Sequence, residues 1–369
     1  MVEFGLIKLE LLVCGIIGLI FIVDLFSKSK TRLHTIAVIG SLGLLVFSFL
    51  PTRIGTTFFD SYSCDYLSIF FRSIFCLSAF IVILLSIDFL KTHSRYTGEY
   101  YILIFSATLG MILLSSAQEM LTFYVSLELL SISSYILAAY KKSEPRSVEA
   151  GIKYFLLGAI ASAILLFGIS FVYGSTGTTQ FKEIGTIISS TQASPILYIG
   201  LVLILCAMCF KIAVVPLHMW APDVYEGAPT PIVAFFSIGT KAAGFAILMR
   251  IFLTAFYGLK AEWGMLMVVL SAMTMILGNL AAIPQTNIKR LLGYSTIAQA
   301  GYILMGIAMA SYSGIAASMY YLVAYLFSNL CAFAVIIIFS NRVGSVENPA
   351  ASGDKIEDYS GLSHRSPGL

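Results

Sequence analysis

The stretch "PILYIGLVLILCAMCFKIAVVPLHMWAPDVYEGAPTPIVAFFSIGTKAAGFAILMRIFLTA", residues 195–255, decides the fold. Two apolar runs, near 195–219 and 230–255, flank the segment "HMWAPDVYEGAPTP" with Pro222, Gly227, Pro229 and Pro231. A helix crosses the hydrocarbon of a bilayer with about 20 apolar residues, and each run is long enough. The runs are continuous and not alternating, so they do not fit a membrane-spanning β-barrel, whose strands repeat with period two. Inside these runs stand two lysines, Lys211 and Lys241, where water is scarcest.

Working outward, runs of the same kind recur along the chain. They lie near 5–26, 33–50, 66–90, 99–117, 119–140, 149–173, 195–219, 230–255, 262–283, 291–310 and 314–340. The fold class is therefore all-α: a polytopic membrane protein of eleven transmembrane helices. Composition agrees. Of the 369 residues 59% are hydrophobic and 11% charged, with a mean hydropathy of +0.92, whereas soluble domains carry about 25% charged residues. A soluble chain could not hide so much apolar surface. The net charge of +3 is small and scattered, which argues for the lipid bilayer as partner and against nucleic acid. Glu3 and Glu10 replace the basic start of a secretory signal, so the N-terminus reads as a span and not as a cleaved leader. Cys206-Ala-Met-Cys209 matches C-x-x-C but falls in a membrane helix without a βαβ context, and reads as packing.

Orientation follows from lysine and arginine in the short loops. One set of loops holds Lys28, Lys30, Arg32, Lys91, Arg95, Lys141, Lys142, Arg146, Lys289, Arg290, Arg342, Lys355 and Arg365; the other holds Arg53, Lys182 and Lys260. The first set is assigned to the cytoplasm, which puts the N-terminus outside and residues 342–369 inside as a polar loop or tail.

"SISSYIL" (131–137) and "TIAQAGYIL" (296–304) are each followed by an aromatic pair, Tyr154-Phe155 and Tyr320-Tyr321, and then by Ser162 and Ser328. The fifth span and the tenth differ by five helices. An odd offset inverts direction, as in transporters built from inverted repeats with broken helices. The expected organisation is three N-terminal helices (1–98), a first five-helix unit (99–257), a partial inverted unit of three helices (258–341) and the tail (342–369).

Three ionisable side chains fall near the middle of spans: Glu128 in the fifth, Lys211 in the seventh and Lys241 at the centre of the eighth. Each costs about 2.5–3.5 kcal/mol unpaired. Glu128 with Lys211 reads as a salt bridge, structural or switchable. Lys241 has no carboxylate at its depth, and a desolvated ammonium holds its proton loosely. Pro216 lacks an N–H five residues after Lys211, which predicts a helix break beside it. Lys153 and His218 are secondary candidates, as snorkelling and capping groups or as proton carriers. Tyr294, Ser295, Gln299, Ser328 and Asn329 fit either a water wire or interhelical glue. Asp24, Asp88, Arg72 and Arg250 lie toward span ends and read as interfacial. His34, His93, His218 and His364 all lie away from mid-membrane depth, no cysteine cluster suits an iron–sulfur centre, and no Walker A or dinucleotide fingerprint is present. The residues suit movement of protons or cations, with no redox centre in this chain.

At these residues a family becomes recognisable. "FKIAVVPLHMWAPDVYEGAPTP" with "IGTKAAGF", "EAGIKYFLLGAIASAILLFGISFVYGSTGT" (149–178) and "NIKRLLGYSTIAQAGYILMG" (287–306) resemble the antiporter-like subunits of respiratory complex I, NADH–quinone oxidoreductase, in its N-subunit branch. The resemblance implies a proton-translocating membrane-arm subunit of a redox enzyme in the cell inner (plasma) membrane, with Glu128 and Lys211 as a charged pair and Lys241 as central relay. It implies supporting roles for Lys153, His218 and Lys289. Flavin (FMN), iron–sulfur clusters and quinone are expected in partner subunits, chiefly reached through adjacent membrane-arm subunits. Family members have fourteen helices, and "IEDYSGLSHRSPGL" resembles the loop before the twelfth, so the chain reads as C-terminally truncated. A subunit of a cation/proton antiporter, which shares Pro-Leu-His-x-Trp, and a non-transporting remnant are the alternatives.

Overall fold

The computed structural model describes residues 3–26, 30–93, 96–191, 194–346 and 353–366, so Lys28 and Arg95 of the orientation count lie outside the described residues. The helices are α1 (Lys8–Phe26), α2 (Lys30–Ser48), α3 (Tyr66–His93), α4 (Thr97–Ser116), α5 (Met120–Ala138), α6 (Pro145–Thr176) and α7 (Phe181–Ser190). They continue as α8 (Pro195–Ile212), α9 (Trp220–Gly227), α10 (Thr230–Phe235), α11 (Lys241–Thr254), α12 (Lys260–Ala282), α13 (Ile288–Ala308) and α14 (Tyr312–Val346). Among the described residues eleven spans are long and apolar enough to cross a membrane, and they fall where the apolar runs predict.

Local chemistry sets the ends. Ser194 caps α8 by accepting from the Leu197 N–H, with Pro195 in the first turn, where its missing N–H costs nothing. Asn287 caps α13 by accepting from the Lys289 and Arg290 N–H groups. Gly177, at φ 72°, closes α6 in the left-handed conformation that glycine adopts freely. Close approach between helices relies on small residues: a Cβ on Gly110 of α4 would stand 2.7 Å from the Leu130 backbone nitrogen of α5.

Burial orders the spans. The most apolar 18-residue window of Thr230–Thr254 is wholly buried, against 22% of the corresponding window in Lys8–Phe26 and in Tyr257–Ala282. The eighth span is therefore the central pole of the bundle. Its helix is not uniform: α10 passes through a π-helical turn, Phe236–Thr240, before α11 begins at Lys241. Such turns leave the i→i−4 ladder out of step and recur at functional sites.

Two expectations are corrected. The seventh helix stops at Ile212, well short of residue 219, because Ala213 turns left-handed (φ 59°) and the Val214 N–H bonds back to the Cys209 carbonyl at 2.8 Å. The break thus precedes Pro216, and Lys211 lies in the last helical turn. Arg72 and Arg250 are not interfacial but 3% and 5% exposed. Arg72 pairs with Glu10 at 2.9 Å, and Arg250 grips Asp65 with two hydrogen bonds of 2.7 and 2.8 Å while its Nε donates to the Ser115 carbonyl. These pairs hold a short antiparallel hairpin, β1 (Gly55–Thr57) with β2 (Tyr62–Cys64), against the helix ends. The described residues of the polar C-terminal stretch pack on the bundle: the Ile288 N–H donates to the Asp354 carbonyl and the Ile356 N–H to that of Thr286, and Tyr359 packs on Phe339. Of the two aromatic pairs, Tyr135 meets Tyr154 edge-on at 4.7 Å, but Tyr302 meets Tyr321 and Tyr320 is 78% exposed.

Candidate functional site

The last turn of α8 presents Lys211 to α5. Its Nζ donates to Ser131 Oγ at 2.7 Å, and both side chains are buried. The helix C-terminus itself favours a cation here, because the final carbonyls of a helix carry partial negative charge. Glu128 lies one turn earlier on α5, on the partly exposed flank, and accepts a hydrogen bond from Ser162 of α6. Glu128 and Lys211 therefore do not form the direct ion pair that the sequence suggests. A hydroxyl, able to donate and accept, stands beside each of them.

The broken segment after Lys211 is satisfied by its surroundings. Trp220 Nε1 donates to the Phe210 carbonyl at 2.8 Å, and Thr274 Oγ1 of α12 accepts from the Val215 N–H at 3.1 Å. Irregular backbone at membrane depth is tolerated when protein covers it in this way. Trp220 also stacks on Tyr154, with ring centroids 4.4 Å apart. Lys211 Nζ lies 6.0 Å from the centroid of that tyrosine ring.

Lys241 opens α11 directly after the π turn and is 2% exposed. Its Nζ donates to the Thr296 carbonyl of α13 at 2.9 Å and lies 5.9 Å from the Tyr225 ring centroid. Among the described residues it forms no ion pair, in keeping with the sequence. Helices α8 and α11 approach closely: a Cβ on Gly244, three residues beyond Lys241, would stand 2.5 Å from Ile212 and 3.8 Å from Lys211 Cγ. Of the two rings beside these lysines, the hydroxyls of Tyr154 and Tyr225 are buried without a partner among the described residues, as is Nδ1 of His218. Buried polar atoms of this kind are where internal water is held.

Of the other candidates, Lys153 lies in a charged mouth. Lys153 bonds Glu149 at 2.8 Å and Asp223 at 2.9 Å, and Arg290 bonds Asp223 at 2.8 Å and Glu226 at 2.9 Å. They surround a cavity of about 200 Å³ between α6, α9 and α13. Burial pushes the Asp223 carboxyl up, but hydrogen bonds from Lys153 and Arg290 outweigh it and hold the group below its ordinary value. Lys153 is thus tied to the broken helix and does not merely snorkel. Lys289 is buried at the start of α13, 3.6 Å from Asp354. Gln299 accepts from Tyr321, and Asn329 donates to the Tyr325 hydroxyl. Ser328 bonds its own helix at the Tyr325 carbonyl.

Sequence reading missed Ser131, Ser162, Tyr154, Tyr225 and Thr296 as lysine and glutamate neighbours. Ser131 alone carried a signal, because it follows Glu128 by three residues on one helical face.

The chain matches the family described as NADH:quinone oxidoreductase/Mrp antiporter over residues 117–369. It is 43% identical to NADH-quinone oxidoreductase subunit N of Moorella thermoacetica over 369 residues, covering 100% of this chain and 76% of that one. A chain in the structure of respiratory complex I from Thermus thermophilus superposes with a TM-score of 0.74 at 32% identity, covering 89% of this chain and 70% of that chain. A chain of the Mrp complex from Dietzia sp. shares the fold, with a TM-score of 0.78 at 22% identity, covering 92% of this chain and 65% of its own.

Proposed function

Starting from the fact that this chain belongs to the antiporter-like membrane subunits of NADH:quinone oxidoreductase, we propose that it carries protons through Glu128, Lys211 and Lys241. The observation that carries this reading is the pair of buried amines at a broken helix, each held by a neutral oxygen and not by a carboxylate. An ammonium so placed lacks the counter-charge that would fix its proton. The positive-inside count supports an outward N-terminus and a cytoplasmic mouth.

Protons enter at the charged mouth, where Lys153 and Asp223 exchange with water, and His218 lies on the inner side of the break. Lys211 accepts and holds a proton when Glu128 draws near through Ser131 and Ser162, and passes it on when Glu128 is distant. Lys241 takes it on across the space beside Tyr154 and Tyr225. Lys289 steadies α13, whose Thr296 carbonyl orients Lys241. Residues 99–257 act as one channel unit, residues 1–98 as its flank and residues 258–341 as part of an inverted second unit.

Moving one proton outward against 100 mV costs roughly 2.3 kcal/mol. That energy comes from electron transfer in neighbouring subunits, which hold the flavin, iron–sulfur clusters and quinone site. Adjacent membrane-arm subunits of the cell's energy-coupling membrane are the direct partners. In inverted vesicles, Glu128→Ala is expected to leave assembly and NADH oxidation largely intact while lowering proton uptake per electron. Undiminished pumping by Glu128→Ala overturns the proposal. Sodium or potassium exchange by the chain in vesicles without redox partners assigns it to antiport instead.

A further inference from the structure

Away from the proton site, a groove of about 910 Å³ runs between α1, α4, α5 and α6 at the end of the bundle that carries the lysine- and arginine-rich loops. Its walls include Phe21, Ile136, Ile152 and Phe155, each 48–54% exposed and each within a membrane-spanning helix. These side chains face the hydrocarbon layer, where the substance at hand is an acyl chain.

The rim differs in chemistry from the walls. Asp24 lies at the end of α1, Glu99 in the first turn of α4 and Lys142 in the loop after α5. Among the described residues none of the three forms an ion pair. Lys142 Nζ rests 4.5 Å above the Tyr96 ring, itself part of the groove. The Asp24 carboxyl is seated against Gly98, where a Cβ would stand 2.3 Å from Asp24 Cγ. Beside it, Thr97 Oγ1 is buried and has no partner. Among the described residues, one cation and two carboxylates thus ring the mouth of an apolar slot at headgroup level.

We propose that this groove binds one phospholipid with a zwitterionic head bearing a primary amine. The ammonium sits between Asp24 and Glu99, the phosphodiester meets Lys142, and the acyl chains lie along Ile136, Ile152 and Phe155. A primary ammonium offers three N–H donors to two carboxylates, and a quaternary ammonium offers none. Among the described residues the rim carries one more negative than positive group, so the same slot disfavours an anionic head.

The full chain in nanodiscs, challenged with photoactivatable phosphatidylethanolamine, phosphatidylcholine or phosphatidylglycerol of identical acyl chains, tests this. Phosphatidylethanolamine is expected to label the 148–157 peptide preferentially. The double variant Asp24→Asn/Glu99→Gln is expected to reduce that preference roughly three- to tenfold, as loss of two exposed ion pairs implies. Ile152→Trp, filling the slot, lowers labelling by all three lipids. Equal labelling of the native chain by the three lipids, or an unchanged preference in the double variant, overturns the proposal. A native-membrane crosslink from residue 152 to a neighbouring protein helix in place of lipid overturns it also.

Discussion

Lys241→Met separates a transporting lysine from a structural one. The unpaired ammonium costs about 2.5–3.5 kcal/mol at this depth. Its one protein hydrogen bond, to the Thr296 carbonyl at 2.9 Å, returns about 1.5–3 kcal/mol as a bond to a charged group. The difference runs from about zero to about 2 kcal/mol in favour of methionine, which fills nearly the same volume. The variant is therefore expected to be as stable as the native chain or more so, and to lose proton transport. Stability is read from thermal unfolding with a thiol-reactive dye, since Cys64, Cys76 and Cys209 are free and buried. Transport is read as proton uptake per NADH oxidised by the assembled enzyme in inverted vesicles. Removing one partner of a buried ion pair costs about 3–5 kcal/mol. Destabilisation of that size, or full pumping without the amine, refutes the reasoning.

Ser131→Ala removes the acceptor of the buried Lys211 ammonium and is expected to cost about 1–3 kcal/mol, measured by the same unfolding assay, with Ser131→Thr restoring most of it. Tyr154→Phe keeps the stacking on Trp220 and strands no protein partner, because the hydroxyl has none. Its unfolding temperature is expected to match the native one while proton uptake slows. At the other end of the bundle, burial raises the Asp65 carboxyl, but hydrogen bonds and charge from Arg250 prevail and hold it below its ordinary value. Its contribution to stability is then present above the unfolded-state carboxyl range, near pH 4, and lost as pH falls through the lower folded value. Asp65→Asn is expected to lower the unfolding temperature at pH 7 and to flatten its acid dependence; an identical acid profile in the variant counts against the pair.

The mouth shows how far sequence reading extends. Lys153 is legible as a cation near a helix end, but its partner Asp223 lies 70 residues away and is brought to it by α9. Likewise Arg250 and Asp65, separated by 185 residues, read as unrelated polar groups at span ends. The C-terminal stretch gave no periodic signal, and its place against α13 comes from backbone hydrogen bonds that any sequence can make. Of the adjacent Tyr320 and Tyr321 only Tyr321 meets Tyr302, because adjacent residues on a helix point about 100° apart, and spacing alone does not choose between them.

Hydropathy alone determined the all-α membrane architecture and its eleven spans, since a bilayer forces every long apolar run to satisfy its backbone internally as a helix. The same physics singled out Glu128, Lys211 and Lys241, because a charge among apolar neighbours is visible without coordinates. Tertiary structure alone decided which span is the central pole, where the seventh helix breaks, and that each lysine rests on a neutral oxygen. Those outcomes depend on what each helix face meets, and a run that is apolar on all sides carries no record of its neighbours.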